Sequence, residues 1–476
     1  MFQKTQLQFE MSQAEEQFKA CWSKLVILLY RGDQKQLLDA ITTFQPTLAK
    51  ALYRLESVYQ KLCQEGRDLV ARRKTLTRRG LRQRLHTING FKHLLKQTSD
   101  VGKALGDGFA WFFYQNEREL VRRHLEQQSN PHPPTGIGGL GEVEFVTRIP
   151  KLGDYFVLGH STTTFLRLGD VSLIDLATFR VAAIGELKTH ESGNSRICVS
   201  INLVGRKGTT PPQLPIPVAA AGPSAPPPKP LPPALQQRLV RQISRIKDSF
   251  KPKPSDGELG YLKSSGYSLH DKLAELHNHC SVKGCAYVHA DRGLLLIGFP
   301  RTGQTLYPRL TANIPGKATF KRLRIDEAAK ALVDKSLPDN SLRIDWVHYR
   351  ARQRYELERD MPPLAWWPLP SSVIEALLFK KLAVMTLYNP AFLLARLRSA
   401  GLQVTSTREG AITIEKQSKE KRLKIEGIPY FLRLVQCYLL SDTTLSTLIT
   451  QMASTLESAD LGRPGTVHWN LDFLFS

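Results

Sequence analysis

The segment at 165–190, FLRLGDVSLIDLATFRVAAIGELKTH, places charged side chains among residues that favour strands. Asp170, Asp175, Glu186 and Lys188 interrupt runs of Val, Ile, Leu and Ala. Because side chains alternate between the two faces of a strand, Glu186 and Lys188 are expected to point the same way. Burying such charges is costly unless they are paired or bind a metal ion. The pattern therefore favours a functional site over an exposed strand with a neighbouring Glu–Lys pair.

The chemistry of this set is that of phosphodiester hydrolysis. A hairpin through ATFRVA would bring Asp175 next to Glu186, so that two carboxylates and the Lys188 amine meet at one edge of a sheet. Two carboxylates and a backbone carbonyl suit Mg²⁺, a hard ion that keeps several of its waters. Such an ion neutralises phosphate charge and generates hydroxide near neutral pH, and a lysine orients or deprotonates the attacking water, or offsets charge in the transition state.

SLID followed by GELK resembles the PD-(D/E)xK nuclease superfamily, which has the restriction-endonuclease-like fold, over roughly residues 138–300. The resemblance implies that Asp175 and Glu186 are ligands of Mg²⁺ or Mn²⁺ and that Lys188 positions the water. It also implies a mixed sheet flanked by helices. Because many such nucleases form dimers to cut both strands of DNA, the resemblance makes a dimer of this chain an open alternative.

Two further site residues follow from the resemblance alone. Glu142 in GLGEVEF matches the glutamate that many members carry on the helix before the first strand, and it is assigned as a further metal ligand. Glu144 is its less favoured neighbour. Gln242 in LVRQISRIK matches a glutamine that some members place on the helix after the Glu-x-Lys strand, although a proline-rich insertion moves it further along the chain.

The sequence departs from the family pattern at the aspartate. Ile174 stands before Asp175, where the motif has a proline. Asp170 in LGDVSL competes for the same role. Asp175 is favoured because its spacing to Glu186 suits a single tight hairpin, and the alternative of Asp170 stays open.

The elements around this site divide the chain into three predicted regions. Apolar residues at three- and four-residue spacing predict helices through 8–128, in a helical region at 1–130. A nuclease-like domain follows at 131–310, with three strands over 155–189 and a flexible proline-rich insertion at 206–233. The region 311–476 is expected to be mostly helical with one β-hairpin. The predicted fold class is α+β or α/β.

Charge and composition point to a polyanionic partner. The 476 residues carry a formal net charge of +23, and 42% are hydrophobic, enough for folded cores. Nucleic acid is the first expected partner and an acidic membrane surface the second. Nine basic residues and no acidic one lie between Arg72 and Lys96, either to follow a phosphate backbone or as a solvated helix face. The N-terminal helices also suit a protein partner.

The expected location is a reducing cytoplasm. The six cysteines are scattered rather than arranged as a disulfide framework, and the first residues lack the features of a signal peptide. The apolar runs are too short to span a bilayer.

Two functions are open at this point. The first is a metal-dependent nuclease acting on DNA, whose layout resembles effectors of bacterial anti-phage defence. The second is a non-catalytic subunit of a larger complex that binds nucleic acid or serves as a scaffold. An intact Asp–Glu–Lys set favours the first, because a scaffold does not require all three residues.

Overall fold

The computed structural model describes residues 3–30, 32–127, 136–192, 196–206, 233–250, 268–313, 315–347, 362–406, 412–417, 422–425 and 428–458. The chain divides into two compact units, Met1–Pro252 and Lys253–Ser476. Both contain helices and antiparallel sheets, so the fold class is α+β with a helical N-terminal region, as predicted.

The first unit begins with helices and continues into a sheet. Its described helices are α1 (Lys4–Leu29), α2 (Gln34–Ala71), α3 (Arg78–Tyr114), α4 (Arg118–Glu126), α5 (Gly136–Arg148) and α6 (Pro233–Ser249). Its described strands are β1 (Lys151–Leu152), β2 (Tyr155–Gly159), β3 (Val171–Asp175), β4 (Arg180–Ser192) and β5 (Arg196–Gly205). Short 3-10 helices lie at Arg73–Thr75 and His160–Thr162.

Local signals explain where the long helices start. Asp33 and Gln36 form a capping box before α2: Asp33 Oδ1 accepts from the Gln36 N–H at 2.8 Å, and Gln36 Oε1 accepts from the Asp33 N–H at 3.3 Å. Thr77 caps α3 by accepting from the Gly80 N–H at 3.1 Å. The first cap fixes the start of α2, and the Thr77 cap fixes the end of the connection between α2 and α3.

The five strands follow one another in the sheet in chain order, and every neighbouring pair is antiparallel. Within the described part of the first unit, the mixed sheet implied by the family resemblance is therefore wrong. The physical reason is connectivity, because strands joined by short turns pair antiparallel whereas a parallel pair needs a long crossover.

A glutamine joins the N-terminal helices to this sheet. The Gln45 side chain of α2 is 1% exposed; its Nε2 donates to the Val157 carbonyl at 2.9 Å, and its Oε1 accepts from the Gly159 N–H at 2.8 Å. β1 pairs only with Tyr155 and Phe156, so Gln45 satisfies backbone groups of β2 beyond the end of that short edge strand.

The core of the first unit forms between α5 and the sheet. Val143 and Val146 of α5 pack against the strands, and Ala49 of α2 joins the same cluster. The strand residues are all apolar and nearly fully buried: Val157, Val171, Leu173, Ala183 and Leu187. Helices and sheet thus share one core, and the predicted boundary at residue 130 falls inside the first unit.

The second unit has two sheets of its own. Its described helices are α7 (His270–Lys283), α8 (Leu306–Thr311), α9 (Lys317–Arg322), α10 (Ile325–Lys330), α11 (Ser371–Leu378), α12 (Ala391–Ser399), α13 (Ile428–Tyr438) and α14 (Asp442–Ser458). Its described strands are β6 (Ala286–Asp291), β7 (Leu294–Pro300), β8 (Arg343–Trp346), β9 (Leu382–Tyr388), β10 (Gln403–Ser406), β11 (Ile412–Gln417) and β12 (Arg422–Ile425). A further 3-10 helix lies at Leu364–Trp366.

The sheets of the second unit correct the predicted boundary at 310. β6 and β7 pair with β9 and β8, in the order β6–β7–β9–β8, instead of extending the sheet of the first unit. β10, β11 and β12 form a separate antiparallel sheet, which confirms the predicted hairpin over 403–417 and gives the region more strand than expected. The proline-rich insertion, apart from its two end residues, lies outside the described residues. Among the helices that are described, none is both long and apolar enough to cross a membrane.

Candidate active site

The register of β3 and β4 places Asp170 opposite Glu186. Val171 pairs with Gly185. The Asp170 N–H donates to the Gly185 carbonyl at 2.8 Å, and Asp170 Oδ2 accepts from the Leu187 N–H at 2.7 Å. Asp170 is thus hydrogen-bonded to both chain neighbours of Glu186, which places the two acidic residues next to each other where β3 begins.

Asp175 lies at the other end of the same hairpin. It pairs with Arg180, and its carboxylate accepts from the Ala177 N–H at 2.8 Å and from Thr178 Oγ1 at 2.9 Å. These hydrogen bonds, that of Ala177 foremost, hold the pKa of Asp175 below its usual value. Six residues separate Arg180 from Glu186, about 20 Å along a strand. The predicted meeting of Asp175 with Glu186 is therefore wrong, because the chain turns immediately after Asp175.

Glu186 and Lys188 form an ion pair. Lys188 Nζ lies 3.0 Å from Glu186 Oε1, which confirms that the two side chains share a face of β4. The Glu186 residue is 3% exposed, whereas the Lys188 side chain is 28% exposed. The carboxylate is thus held inside the fold, and the amine lies where solvent reaches it.

Glu142 reaches the site because α5 packs closely on β4. At Gly141 a β-carbon would lie 2.2 Å from Thr189 Oγ1, so any larger residue would push the helix away from the strand. Glu142 follows this contact point and lines a pocket with Ser161 and with Tyr53 of α2. The glycine-led start of α5 thus sets the depth at which Glu142 lies.

The charges around Glu142 interact strongly. Burial raises the pKa of Glu142 to about 8, and the negative charges of Asp170 and Glu186 act in the same direction. A hydrogen bond from Ser161 and the positive charge of Lys103 act against this shift. With a pKa of about 8, Glu142 holds a proton at neutral pH, and the negative charges of Asp170 and Glu186 favour this protonated form.

Sequence reasoning missed Lys103, which comes from the helical region. Its amine donates to the carbonyls of Ser161 and, at 3.1 Å, Thr163, and burial lowers the pKa of Lys103 to about 8. Four residues along α3, Asp107 accepts from the Thr164 N–H at 2.6 Å. The sequence signal for this close packing is the two glycines on either side of Lys103 in VGKALGDGF, Gly102 and Gly106. A β-carbon at Gly106 would lie 1.9 Å from the Thr162 carbonyl oxygen.

A buried network supports the strand start that carries Asp170. His160 Nδ1 donates to the Gly169 carbonyl at 3.1 Å, and its Nε2 lies 2.7 Å from Ser172 Oγ. Burial lowers the pKa of His160 to about 4, so the neutral ring accepts from Ser172, whose oxygen lies 2.6 Å from the Tyr114 hydroxyl. The His160 N–H also donates to the Asp170 carbonyl at 2.8 Å. The histidine therefore positions the aspartate.

The remaining predicted residues lie apart from this group. Glu144 Oε2 is 2.6 Å from Arg148 Nε in a surface ion pair along α5. Gln242 lies on α6, which packs against β4 and β5, and its Oε1 is buried without a hydrogen-bond partner among the described residues. No hydrogen bond within the described part of the chain joins Gln242 to Glu186 or Lys188.

The donor atoms fit a hard divalent cation held by few protein ligands. Asp170 and Glu186 supply neighbouring carboxylates, and their negative charges add to the burial that raises the pKa of Glu142, charges that a cation would offset. In the described residues, no group of three or more His, Cys, Asp and Glu side chains is arranged to hold a metal ion. Mg²⁺ bound by two carboxylates and its own waters is compatible with both observations.

Comparison with protein-family models, with curated proteins and with solved structures finds no match to this chain. Membership of the PD-(D/E)xK superfamily therefore stays a prediction. It rests on the Glu-x-Lys strand, on the glutamate of α5, and on an aspartate that the register places at 170 rather than 175.

Proposed function

We propose that the chain is a metal-dependent nuclease that hydrolyses phosphodiester bonds in DNA. The observation that carries the proposal is the placement of Asp170 beside Glu186, with the Lys188 amine on Glu186. A buried carboxylate beside a half-buried one, with a partly exposed amine, is expensive to maintain, which is understandable if the group binds a cation and an anionic substrate. The net charge of +23 suits such a substrate.

Each residue has a distinct role in this proposal. Asp170 and Glu186 would hold Mg²⁺ or Mn²⁺, which when bound neutralises phosphate charge and lowers the pKa of a water molecule. Lys188 has three N–H donors and gives one to Glu186 Oε1, so the others are available to a water or a phosphate oxygen. Glu142, protonated at neutral pH, limits repulsion between the carboxylates.

A supercoiled plasmid incubated with the protein and Mg²⁺ tests the proposal. Glu186→Ala and Lys188→Ala are each expected to lower the cleavage rate by about 100-fold or more, as loss of a charge-stabilising group does. Glu144→Ala is the matched control, because it removes a carboxylate from α5 whose partner is the surface residue Arg148. Cleavage that survives both site substitutions would remove this site from the reaction.

A non-catalytic subunit that binds nucleic acid or serves as a scaffold is the second candidate. The observation that favours it is that no group of three metal-binding side chains occurs among the described residues. Plasmid cleavage is measured with Mg²⁺ and with Mn²⁺, each with and without cell extract from the source organism. If no cleavage occurs under any of these conditions, this candidate is favoured. A role as an effector of anti-phage defence is proposed only together with the nuclease function.

A further inference from the structure

The connection between α2 and α3 carries a dense group of cations. Seven of the nine basic residues between Arg72 and Lys96 fall within 72–84, and all seven are exposed. We call these seven residues the basic tip: Arg72, Arg73, Lys74, Arg78, Arg79, Arg82 and Arg84. The 3-10 helix at Arg73–Thr75 and the Thr77 cap of α3 shape the connection, so these side chains project from a defined turn rather than from an extended tail.

Among the described residues, no carboxylate pairs with the cations of the basic tip. In the part of the chain that the structure describes, none of the seven side chains has a carboxylate within 4.0 Å, and none of their hydrogen bonds is to an acidic residue. Other surface cations of the same unit do form ion pairs. Arg54 Nε lies 2.5 Å from Glu10 Oε2, and Arg148 Nε lies 2.6 Å from Glu144 Oε2. The tip therefore attracts an external polyanion.

The two helices that carry the basic tip, α2 and α3, also contact the surroundings of the candidate active site. Tyr53 of α2 lines the pocket with Glu142, and Arg72 follows Tyr53 by 19 residues. Lys103 of α3 contacts Ser161 in that region and follows Arg84 by 19 residues. At 1.5 Å per residue, about 28 Å of each helix separates the nearest tip residue from the residue that reaches the Glu142 and Ser161 region. The two helices give the same separation independently.

We propose that the basic tip binds the phosphate backbone of a DNA duplex whose cleaved bond lies at Glu186 and Lys188. The inference rests on the proposed nuclease function. At 3.4 Å per base pair, 28 Å corresponds to about eight base pairs. Arginine predominates over lysine in the tip, and its planar guanidinium binds phosphate oxygens in pairs.

A duplex fits the tip better than an anionic membrane does. Helices that bind membranes present Trp, Phe or Leu opposite their cations. Residues 72–84 contain no aromatic residue, and the two leucines, Leu76 and Leu81, are half-buried against the protein. The tip therefore offers charge without an apolar surface to insert.

Binding of the full chain to a duplex of about 24 base pairs, long enough to span site and tip, tests the inference. The tip variant combines Arg73→Gln, Arg78→Gln and Arg82→Gln. The control variant removes the same number of exposed charges from α9 of the second unit, with Lys317→Gln, Lys321→Gln and Arg322→Gln. Fluorescence anisotropy in EDTA measures affinity in the absence of cleavage.

The tip variant is expected to bind at least about 10-fold more weakly, while the control stays within about twofold of the natural sequence. The slope of log affinity against log salt concentration should fall by about 0.9 for each lost phosphate contact, or about 2.7 in all. Equal effects of the two variants, or no effect of either, would overturn the inference. So would a tip variant that loses binding to phosphatidylserine vesicles and keeps its affinity for the duplex.

The two proposals fail in different ways. Because binding is measured in EDTA, duplex affinity that depends on the tip survives even if no condition yields cleavage, and only the nuclease proposal is then removed. Plasmid cleavage that requires Glu186 together with unchanged binding by the tip variant removes only the role of the tip.

Discussion

Asp170 and Asp175 have the same side chain, and the β3–β4 hairpin gives them opposite environments. Asp170 lies at the start of β3 beside Glu186, while Asp175 binds the backbone of the turn. Asp170→Asn is expected to lower plasmid cleavage by about 100-fold or more, because it removes a negative charge from the proposed ion site. Asp175→Asn should stay within about threefold, since Asn keeps an acceptor for the Ala177 N–H. Initial cleavage rates at a series of Mg²⁺ concentrations measure the effect of each substitution. A larger loss for Asp175→Asn than for Asp170→Asn would instead support Asp175 as the metal ligand.

The sequence predicted which face of β4 carries Glu186 and Lys188, but not which aspartate lies beside them. Period-two alternation placed Glu186 and Lys188 on one face, and the 3.0 Å ion pair confirms it. The expected approach of Asp175 to Glu186 is wrong because its carboxylate stabilises the turn locally, a use of aspartate that its spacing to Glu186 does not reveal. Lys103 was inaccessible to such reasoning, since its contact with Ser161 spans 58 residues and depends on tertiary packing.

A second buried carboxyl, in the other unit, gives a pH-dependent prediction. Asp442 is 2% exposed and its Oδ1 accepts from the Tyr388 hydroxyl at 2.6 Å. Burial raises the pKa of Asp442 to about 7; the negative charge of Asp291 adds to the shift, and the Tyr388 hydrogen bond and Arg396 oppose it. The folded protein therefore keeps this proton across a range in which the unfolded chain, with a pKa near 3.8, has lost it.

The sign of the effect follows from proton binding. Between about pH 4 and pH 7 the folded state holds more protons at this position, so stability falls as the pH rises, by at most about 1.4 kcal/mol per pH unit. Asp442→Asn has no such proton, and Asn still accepts from Tyr388. The stability of the variant relative to the natural sequence is therefore expected to increase from pH 4 to pH 7, as measured by urea unfolding. A difference that is constant with pH would contradict this account.

At the scale of elements, the contact between α5 and β4 controls where Glu142 lies. Gly141→Ala would place a methyl group within 2.2 Å of Thr189 Oγ1, and such overpacking costs about 1–3 kcal/mol. Because the helix must move to relieve the clash, cleavage should fall along with stability. Thr189→Ala in the same chain removes the two atoms at 2.2 and 2.4 Å and should restore part of both.

Thermal unfolding and plasmid cleavage of the two single variants and the double variant measure this coupling. Gly138→Ala on the same helix is the control, because a β-carbon at position 138 would meet nothing within 4 Å. It should leave both the unfolding temperature and the cleavage rate nearly unchanged. Additive losses in the double variant would contradict the close approach of helix and strand.

Elements were predicted more successfully than their pairing. Apolar periodicity located the N-terminal helices, and alternation located β2, β3 and β4. The local sequence pattern could not show to which sheet β6 and β7 belong, because β7 pairs with β9. In this pair Leu294 of β7 lies opposite Tyr388 of β9, which is far along the chain. Strand identity is a local property, whereas partner choice depends on contacts far along the chain.

At the scale of the whole molecule, two units with separate cores predict two unfolding transitions. Leu173 is fully buried in the core of the first unit and Ile297 in that of the second. Leu173→Ala and Ile297→Ala should each cost about 2–5 kcal/mol by leaving a cavity. Each is expected to lower the midpoint of one calorimetric transition and leave the other in place; a single transition that both substitutions shift alike would contradict separate units.

The Gln45 hydrogen bonds to β2 limit how this protein can be shortened. A fragment starting near residue 131 would contain every acidic residue of the motif and resemble a minimal enzyme on paper. It would nevertheless expose the Val157 carbonyl and the Gly159 N–H that Gln45 satisfies, and it would strip Lys103 from the Ser161 loop. The long N-terminal helices thus support the strand and the loop around the candidate site, and grafting the motif region alone onto another protein would leave these contacts behind.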